Sequence, residues 1–459
     1  MKNVLLKDES ERRGVSDEKT REYIEKLSHL INCKTVWTRD GVNKDEYMRF
    51  YETLDRLFPN LAARAERLTF GDGCIVYVIK GQNATKNVMM MSHHDVVEGG
   101  EGWDTDPFVA TEKDGYLYGR GTIDTKTPLF AELQAAEELL AEGYGFEGLN
   151  LYIGSSHNEE VCGDGMVLAV DYFKEQGIHF DLVLDEGGAI TEGQIPGVSC
   201  KSAVVAVHEK SRHVFLCRAK IDPKGHGGFG GAKDSAVERL SRFIAEVCDK
   251  QGKIYRGQFA PEVRATFERH VPYMSFPMNL LFGNMGLFAP LIKKIMMGIP
   301  AASAMLSTGL SFTTVKAGSE DDPQLLAKTA ESIMFLRCVR EEDLYRGLEK
   351  IKRIAQKYGV EIEARERDYC RPTDFEGETF RKIEAVLHEN FPDVAVAPFL
   401  LTAGTDARRF TDVADNILRF APIDLSKKQF ATIHNANENI TIKNIGECVV
   451  FYKDIIQKI

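Results

Sequence analysis

Short apolar runs that end in histidine or acidic residues recur along the first part of the chain. Residues 86–91 (KNVMMM) precede His93, residues 149–155 precede Glu160, and residues 181–184 precede Glu186. A helix with one apolar face is predicted between the first two runs, beginning with Thr-Pro at residue 127. Strands that alternate with helices predict a mainly parallel sheet, and polar residues at the strand ends predict a ligand site at its carboxyl edge.

The pattern changes after residue 205. Between residues 206 and 370 the predicted order is strand, helix, strand, strand, helix, strand, which is typical of a ferredoxin-like unit. An apolar stretch over residues 271–310 interrupts this order, and the first pattern resumes from residue 371. We therefore predict an α/β protein with a mainly parallel sheet domain (1–205 and 371–459) and an inserted ferredoxin-like α+β domain (206–370).

Composition narrows the possible partners and the compartment. The 459 residues include 58 basic and 69 acidic side chains, and the net charge of −11 argues against nucleic acid or an anionic membrane as the main partner. Nine cysteines without a Cys-x-x-Cys pair favour a reducing compartment, and the N-terminus lacks a signal-peptide pattern, so we expect a cytoplasmic protein. Residues 271–292 are uncharged over a membrane-spanning length, but their prolines, glycines and asparagines argue against a span.

Several residues of the strand-end segments have side chains that bind metals. Imidazole and carboxylate ligands without thiolate suit zinc first, with cobalt or manganese as alternatives. Two histidines and three carboxylates exceed one tetrahedral site but fit two metals bridged by a carboxylate and a water. In the Glu159-Glu160 pair only one side chain need bind metal, which frees the other to act as a general base. Ion pairs along the sheet edge are the alternative explanation. The candidate ligands are His93, Asp124, Glu160, Glu186 and His434.

Seven short motifs occur in order along the chain: HHDVVEGGEGWDTDPF, GRGTIDTK, NEEVCGDG, LDEGG, GHGG, GTDARRF and IHNANEN. Together they resemble the di-zinc metallopeptidase family that contains aminoacylase, bacterial glutamate carboxypeptidase and yeast carboxypeptidase S. The resemblance covers nearly the whole chain. The apolar stretch FPMNLLFGNMGLFAPLIKK is similar to one in the carboxypeptidase S branch, which includes hydrolases of N-fatty-acyl amino acids.

The resemblance implies a role for each candidate ligand. His93 with Glu186 would hold one Zn²⁺, Glu160 with His434 would hold the other, and Asp124 would bridge them. Asp185 remains an alternative to its neighbour Glu186.

The resemblance also implies roles for residues that do not bind metal. Asp95 would orient His93, and Glu159 would take a proton from the bridging water. Arg408 would hold the free carboxylate of the substrate, although it and Arg409 could also be a solvated basic pair.

Two further residues lie in the inserted domain, which the resemblance makes a lid and a dimerisation unit. His226 would reach the partner's site in a homodimer and polarise the scissile carbonyl, although its Gly-rich surroundings also fit a flexible loop. Gln324 stands where many relatives have an asparagine that contacts substrate. This departure affects recognition of the substrate carboxylate or carbonyl.

The function implied is a zinc-dependent hydrolase that cleaves the amide bond next to a free α-carboxylate, as a carboxypeptidase or an N-acyl-amino-acid amidohydrolase. A first alternative is a dipeptidase on the same fold, which would need an acidic or amide group to hold a free amino terminus. A second is a non-catalytic metal-binding scaffold, against which the intact base candidate Glu159 argues.

Overall fold

The computed structural model describes residues 6–38, 41–221, 234–318 and 325–459. The α-helices are α1 Asp17–Ile31, α2 Lys44–Leu57, α3 Pro59–Arg64, α4 Lys126–Ala141, α5 Gly165–Glu175, α6 Ala236–Ile254, α7 Pro261–His270, α8 Met278–Gly283, α9 Met285–Met296, α10 Pro300–Leu306, α11 Glu341–Tyr358, α12 Glu378–Asn390, α13 Lys427–Phe430 and α14 Ile442–Lys458. Short 3₁₀ helices cover Glu9–Glu11, Val271–Tyr273 and Asp406–Asp412.

The strands are β1 Trp37–Thr38, β2 Gly41–Val42, β3 Glu66–Phe70, β4 Cys74–Ile79, β5 Lys86–Met91, β6 Thr111–Lys113, β7 Tyr116–Tyr118, β8 Leu149–Ser155, β9 Phe180–Asp185, β10 Ile190–Glu192, β11 Lys201–Glu209, β12 Ser211–Lys220, β13 Gly309–Ala317, β14 Thr329–Cys338, β15 Val360–Asp368, β16 Ala395–Leu401, β17 Ala414–Arg419, β18 Asp424–Leu425 and β19 Asn439–Thr441.

The large sheet has the order β18-β10-β11-β17-β9-β5-β8-β4-β3, and β16 also pairs with β11. Its central strands β17, β9, β5 and β8 are mutually parallel, as predicted. Antiparallel pairs occur on both flanks, at β4 with β8 and β3 and at β11 with β10 and β17, whereas β16 with β11 and β18 with β10 are parallel. The sheet is therefore mixed. A connection as short as residues 71–73, between β3 and β4, can only join antiparallel neighbours.

Helices cover both faces of this sheet. On β5, Val88 and Met90 belong to the core beneath α1, α4 and α14, while Met89 and Met91 belong to the core beneath α5. Because alternate side chains point to opposite faces, a strand with apolar residues at every position is buried on both sides. This explains why β5 is a continuous apolar run from Val88 to Met91, with polar residues before and after that run.

The second sheet is antiparallel throughout, with the order β13-β14-β12-β15. Helices α6 and α11 share its apolar core, which includes Phe215, Phe243 and Ile351. Gly359 ends α11 in the left-handed conformation (φ 65°), which glycine adopts without a Cβ clash. This arrangement confirms the predicted ferredoxin-like βαββαβ unit.

The apolar stretch between α6 and β13 forms short helices, α7 to α10, with a core of their own. That core includes Leu400 of β16, so the stretch also packs on the large sheet. No helix of the described residues is long and apolar enough to cross a membrane. Helix α7 packs on β16 and β11, so the inserted stretch contacts the large sheet, and the predicted three-part division of the chain stays a prediction.

Candidate metal centre and active site

His93 and Asp95 follow the end of β5, as predicted. The Nδ1 of His93 lies 2.9 Å from the backbone oxygen of Asp95 and 3.4 Å from its Oδ1. A carbonyl oxygen only accepts hydrogen bonds, so Nδ1 of His93 is the protonated nitrogen in this contact. The Nε2 atom is therefore directed to Oδ1 of Asp124, 2.8 Å away. Fixing one ring nitrogen in this way leaves the other available as a metal ligand.

The carboxylate of Asp95 joins the ends of two neighbouring strands. Its Oδ1 accepts a hydrogen bond from the backbone N–H of Glu159 (3.1 Å), and its Oδ2 accepts one from that of Glu160 (3.0 Å). Asp95 is fully buried, so water does not compete for these bonds. It thus fixes the position of the Glu159-Glu160 pair relative to His93.

Asp124 lies between two histidines from distant parts of the chain. Its Oδ2 is 3.0 Å from Nε2 of His434, which is also 3.1 Å from Oε2 of Glu160. These hydrogen bonds to Asp124 and Glu160 raise the pKa of His434 to about 10. Burial opposes ionisation of Asp124, but the bonds from His434 and His93 hold its pKa well below the ordinary value.

The donor set at this place fits a divalent cation. Ligand atoms of His93, Asp124 and Glu160 lie within 4.8 Å of one another. Oε1 of Glu160 is buried without a hydrogen-bond partner. Burial and then neighbouring charges, among them Asp124, raise the pKa of Glu160 and of Glu186. A bound cation would stabilise the ionised form of these neighbouring carboxylates, and among the described residues Oε1 of Glu160 has no other partner.

Asp185 and Glu186 differ in what already holds them. Asp185 accepts backbone hydrogen bonds on both oxygens, from Glu186 and from Ala407, each at 2.8 Å. Glu186 accepts no hydrogen bond within the described residues. Burial raises its pKa most, and the charge of Asp124 is the next largest cause. Glu186 lies outside the compact group formed by His93, Asp124 and Glu160.

Glu159 lies beside the candidate ligands without joining them. Its backbone is held by Asp95, and no hydrogen bond reaches its carboxylate from the described part of the chain. Burial raises the pKa of Glu159 well above its ordinary value, although the charge of His93 opposes this. A carboxyl group with a raised pKa, next to a metal site, has the properties of a general acid and base.

Arg408 is buried and already paired. Its Nε donates to Oδ2 of Asp368 at 2.7 Å, and its guanidinium also donates to the backbone oxygen of Thr405. Arg409 lies 3.1 Å from the same carboxylate oxygen of Asp368. Arg408 is thus already paired with Asp368, and its predicted role in holding the substrate carboxylate stays a prediction.

Arg337 is an arginine that the motifs did not indicate. It lies on β14, and its Nη1 donates to the backbone oxygen of Lys210 at 3.3 Å. No carboxylate within the described residues forms an ion pair with it, and burial lowers its pKa. A Cβ added at Gly404 would be 2.8 Å from Nη1 of Arg337 and 3.2 Å from Nη1 of Arg408, so the two arginines flank this glycine. The only sequence signal was a single charge in an otherwise apolar half-strand.

Glu438 was also missed, although it lies in the IHNANEN motif. Its Oε1 accepts the backbone N–H groups of Gly121, Ile123 and Asp124, and its Oε2 accepts a hydrogen bond from Arg120 at 2.6 Å. Glu438 is fully buried. It thus fixes the loop that carries Asp124.

Two of the predicted residues, His226 and Gln324, lie outside the described residues.

Comparisons with known proteins identify the family of the chain. The model of peptidase family M20/M25/M40 matches residues 89–458. The chain is 29% identical to an N-fatty-acyl-amino acid synthase/hydrolase of Danio rerio, over 96% of this chain and 87% of that protein. It is 27% identical to a probable carboxypeptidase S-like protein of Dictyostelium discoideum, over 95% of this chain and 85% of that protein.

The fold comparison extends this likeness to a solved structure. The chain superposes on an M20 family metallo-carboxypeptidase from Sulfolobus solfataricus with a TM-score of 0.65 and 18% identity, covering 96% of this chain and 99% of that one. At this identity the likeness shows the fold. The family model matches most of the chain, which confirms the resemblance inferred from the seven motifs. The chain therefore belongs to peptidase family M20/M25/M40 and is a hydrolytic enzyme of that family.

Proposed function

We propose that the chain is a metal-dependent amidohydrolase that cleaves the amide bond next to a free α-carboxylate. The observation that supports this most directly is the continuous contact from His93 through Asp124 and His434 to Glu160, with Glu159 beside it. Such a set combines metal ligands with a separate carboxyl group for proton transfer. A scaffold protein that only binds metal does not need a separate carboxyl group for proton transfer.

The metal site we propose uses the residues that fit a cation. His93 and Glu186 would hold one ion, Glu160 and His434 would hold the other, and Asp124 would be shared by both. Zinc is the first choice, with cobalt or manganese as alternatives, because all the donors are imidazole nitrogens or carboxylate oxygens. Two such ions acidify water and polarise a carbonyl when they are bound.

The remaining residues of the chain position groups and move protons. Glu159 accepts the proton of the attacking water and then donates it to the leaving amine, so the products are a carboxylic acid and a free amino acid. Asp95 holds both the ring of His93 and the backbone of Glu159, and it therefore sets the distance between metal and base. His226 polarises the scissile carbonyl, and Gln324 contacts the substrate.

The substrate class we favour is N-acyl amino acids, since a curated relative is named for N-fatty-acyl amino acids and another for carboxypeptidase activity. The test compares three substrates with the same amino-acid part: an N-acyl amino acid, the corresponding unblocked dipeptide, and the N-acyl amino acid amide. We expect hydrolysis of the first only. Preference for the dipeptide would support the dipeptidase alternative, and hydrolysis of the amide would contradict recognition of a carboxylate.

Arg337→Ala should weaken substrates that have a free carboxylate. A partly buried guanidinium that has no carboxylate partner among the described residues can pair with one from the substrate, and such a charge-assisted bond is worth about 1.5–3 kcal/mol, or about 10- to 100-fold in KM. Steady-state kinetics should show this loss for an N-acyl amino acid, whereas inhibition by a simple hydroxamate without a carboxylate should be unchanged.

Arg408→Ala is the matched comparison. Since it removes the Arg408 guanidinium from partly buried Asp368, which then keeps only the longer contact with Arg409 of its two arginine contacts, we expect a lower Tm and equal losses for both ligands. If Arg408→Ala gives the selective loss and Arg337→Ala does not, then Arg408 binds the carboxylate as the motifs implied.

We also propose a homodimer in which His226 acts in the partner's site. Two inactive chains, His226→Ala and Glu159→Gln, should recover activity when unfolded and refolded together, because the mixed dimer has one site with both residues intact. The measurement is hydrolysis by mixed dimers isolated by mass. No recovery would show that His226 acts within its own chain.

All nine cysteines are free, which supports a reducing, cytoplasmic compartment.

A further inference from the structure

Large apolar side chains are exposed on the segment that joins α6 to β13. They include Phe276 and Leu287, whose exposed fractions are 77% and 75%. The others lie on α8, on α9 and just before α10 and are Leu280, Leu291, Ile295, Met297 and Ile299. Single exposed apolar residues are ordinary on protein surfaces, but a concentration within one segment marks an interaction site.

Helix α9 has two apolar faces. Met285, Ile292 and Met296 are buried and pack in the local core with Phe267 of α7 and Phe282 of α8. Leu287, Leu291 and Ile295 recur every four residues and so lie together on the opposite side. Lys294 follows Leu287 by seven residues and is on that side as well. We call Leu287, Leu291, Lys294 and Ile295 the outer face of α9.

The segment that carries the outer face has a positive charge, opposite in sign to the net charge of the protein. Residues 271–318 contain three lysines and no aspartate or glutamate, in a chain whose net charge is −11. Lys294 forms no ion pair within the described part of the chain. An apolar face with lysine beside it and no acidic neighbour in sequence is complementary to an anionic lipid surface. A second copy of the chain would bring these lysines close to each other.

We propose that the outer face of α9 docks the enzyme on an anionic bilayer, with the helix lying in the interface and not crossing it. The helix has 12 residues, which is too short to span a bilayer and long enough to lie in its interface. Leu287, Leu291 and Ile295 enter the acyl boundary, and Lys294 contacts the lipid phosphates. This proposal concerns location and holds whichever amide the enzyme cleaves.

The test is sedimentation of the full chain with vesicles of phosphatidylcholine alone or mixed with phosphatidylglycerol. We expect binding to the mixed vesicles, and we expect Leu287→Gln, Leu291→Gln and Ile295→Gln together to lower the partition coefficient at least about tenfold. These side chains are exposed, so the core is unaffected. A matched control replaces Met48, Val109 and Val237, which are also exposed, by glutamine and should bind as the native chain does.

A charge variant and the oligomeric state complete the test. Lys294→Glu should weaken binding to the mixed vesicles and leave binding to pure phosphatidylcholine unchanged. Absence of binding by the native chain, or an equal loss in the control variant, would overturn the proposal. So would light scattering that shows a dimer of the native chain and a monomer of the triple α9 variant, because a second copy would then cover the face.

Discussion

Glu159→Gln is expected to reduce turnover by about 10²- to 10⁴-fold and to leave the metal content unchanged. The glutamine keeps the shape of the side chain and the backbone bond to Asp95, but it cannot accept the proton of the attacking water. Since Glu159 is not among the proposed ligands and acts only in proton transfer, its loss should not weaken metal binding. The measurement pairs kcat with metal analysis of the same preparation.

The neighbouring residue provides the control for this result. Glu160→Gln removes a proposed ligand whose Oε2 contacts His434, so it should lower metal content together with activity. If Glu159→Gln loses metal and Glu160→Gln keeps it, the roles of the two glutamates are reversed.

Asp124→Ala is expected to lower the affinity for metal, by a factor at least as large as the smallest loss of turnover expected for Glu159→Gln. Asp124 contacts both His93 and His434, and in the proposed site it is the only ligand shared by the two ions. Loss of a residue that merely orients a ligand costs about 10- to 100-fold in metal affinity or activity, so loss of the bridge should exceed about 100-fold. Calorimetric titration of the metal-free chain with zinc measures the affinity directly.

Asp412→Ala is a suitable control because its side chain is 77% exposed and, among the described residues, pairs with Lys174 at the surface. We expect it to bind zinc as the native chain does. Native affinity in Asp124→Ala as well would mean that the metals, if they bind, are held elsewhere.

The sequence was sufficient to predict the central strands and to predict that His93, Asp124, Glu160 and His434 lie close together. Strand β5 is apolar at every position from Val88 to Met91, and such a run predicts a strand buried on both faces. Once parallel strands are placed side by side, the residues that follow them must meet at one edge. His93 and Glu160, which follow β5 and β8, come together for this reason.

The sequence was not sufficient for partners that are chosen by packing between distant segments. Arg408 was expected to be free for substrate, but its neighbour Asp368 lies at the end of a strand of the other sheet. Glu438 contacts three backbone N–H groups in the loop of Asp124, and no side-chain pattern predicts such contacts. The antiparallel flanks of the large sheet depend on which strands become neighbours, which strand periodicity does not specify.

Both connections between the two sheets are tied to the loop that follows β16. Where β11 meets β12, Glu209 is fully buried and accepts hydrogen bonds from Arg419 at 2.6 Å and from the hydroxyl of Thr405. Where β15 ends, Asp368 pairs with Arg408. The same loop is fixed by Asp185, next to the proposed ligand Glu186. Any change in the orientation of the second sheet would therefore move this loop, which lies close to the proposed metal site.

The most direct test of metal-dependent amide hydrolysis is a zinc titration of the metal-stripped chain, in which bound zinc and cleavage of an N-acyl amino acid are measured together. We predict no cleavage without metal, and cleavage that rises with bound zinc up to two ions per chain. The Glu159→Gln chain should bind the same amount of zinc and remain inactive. Full activity in the metal-free chain, or zinc binding to the native chain without any amide hydrolysis, would contradict the account.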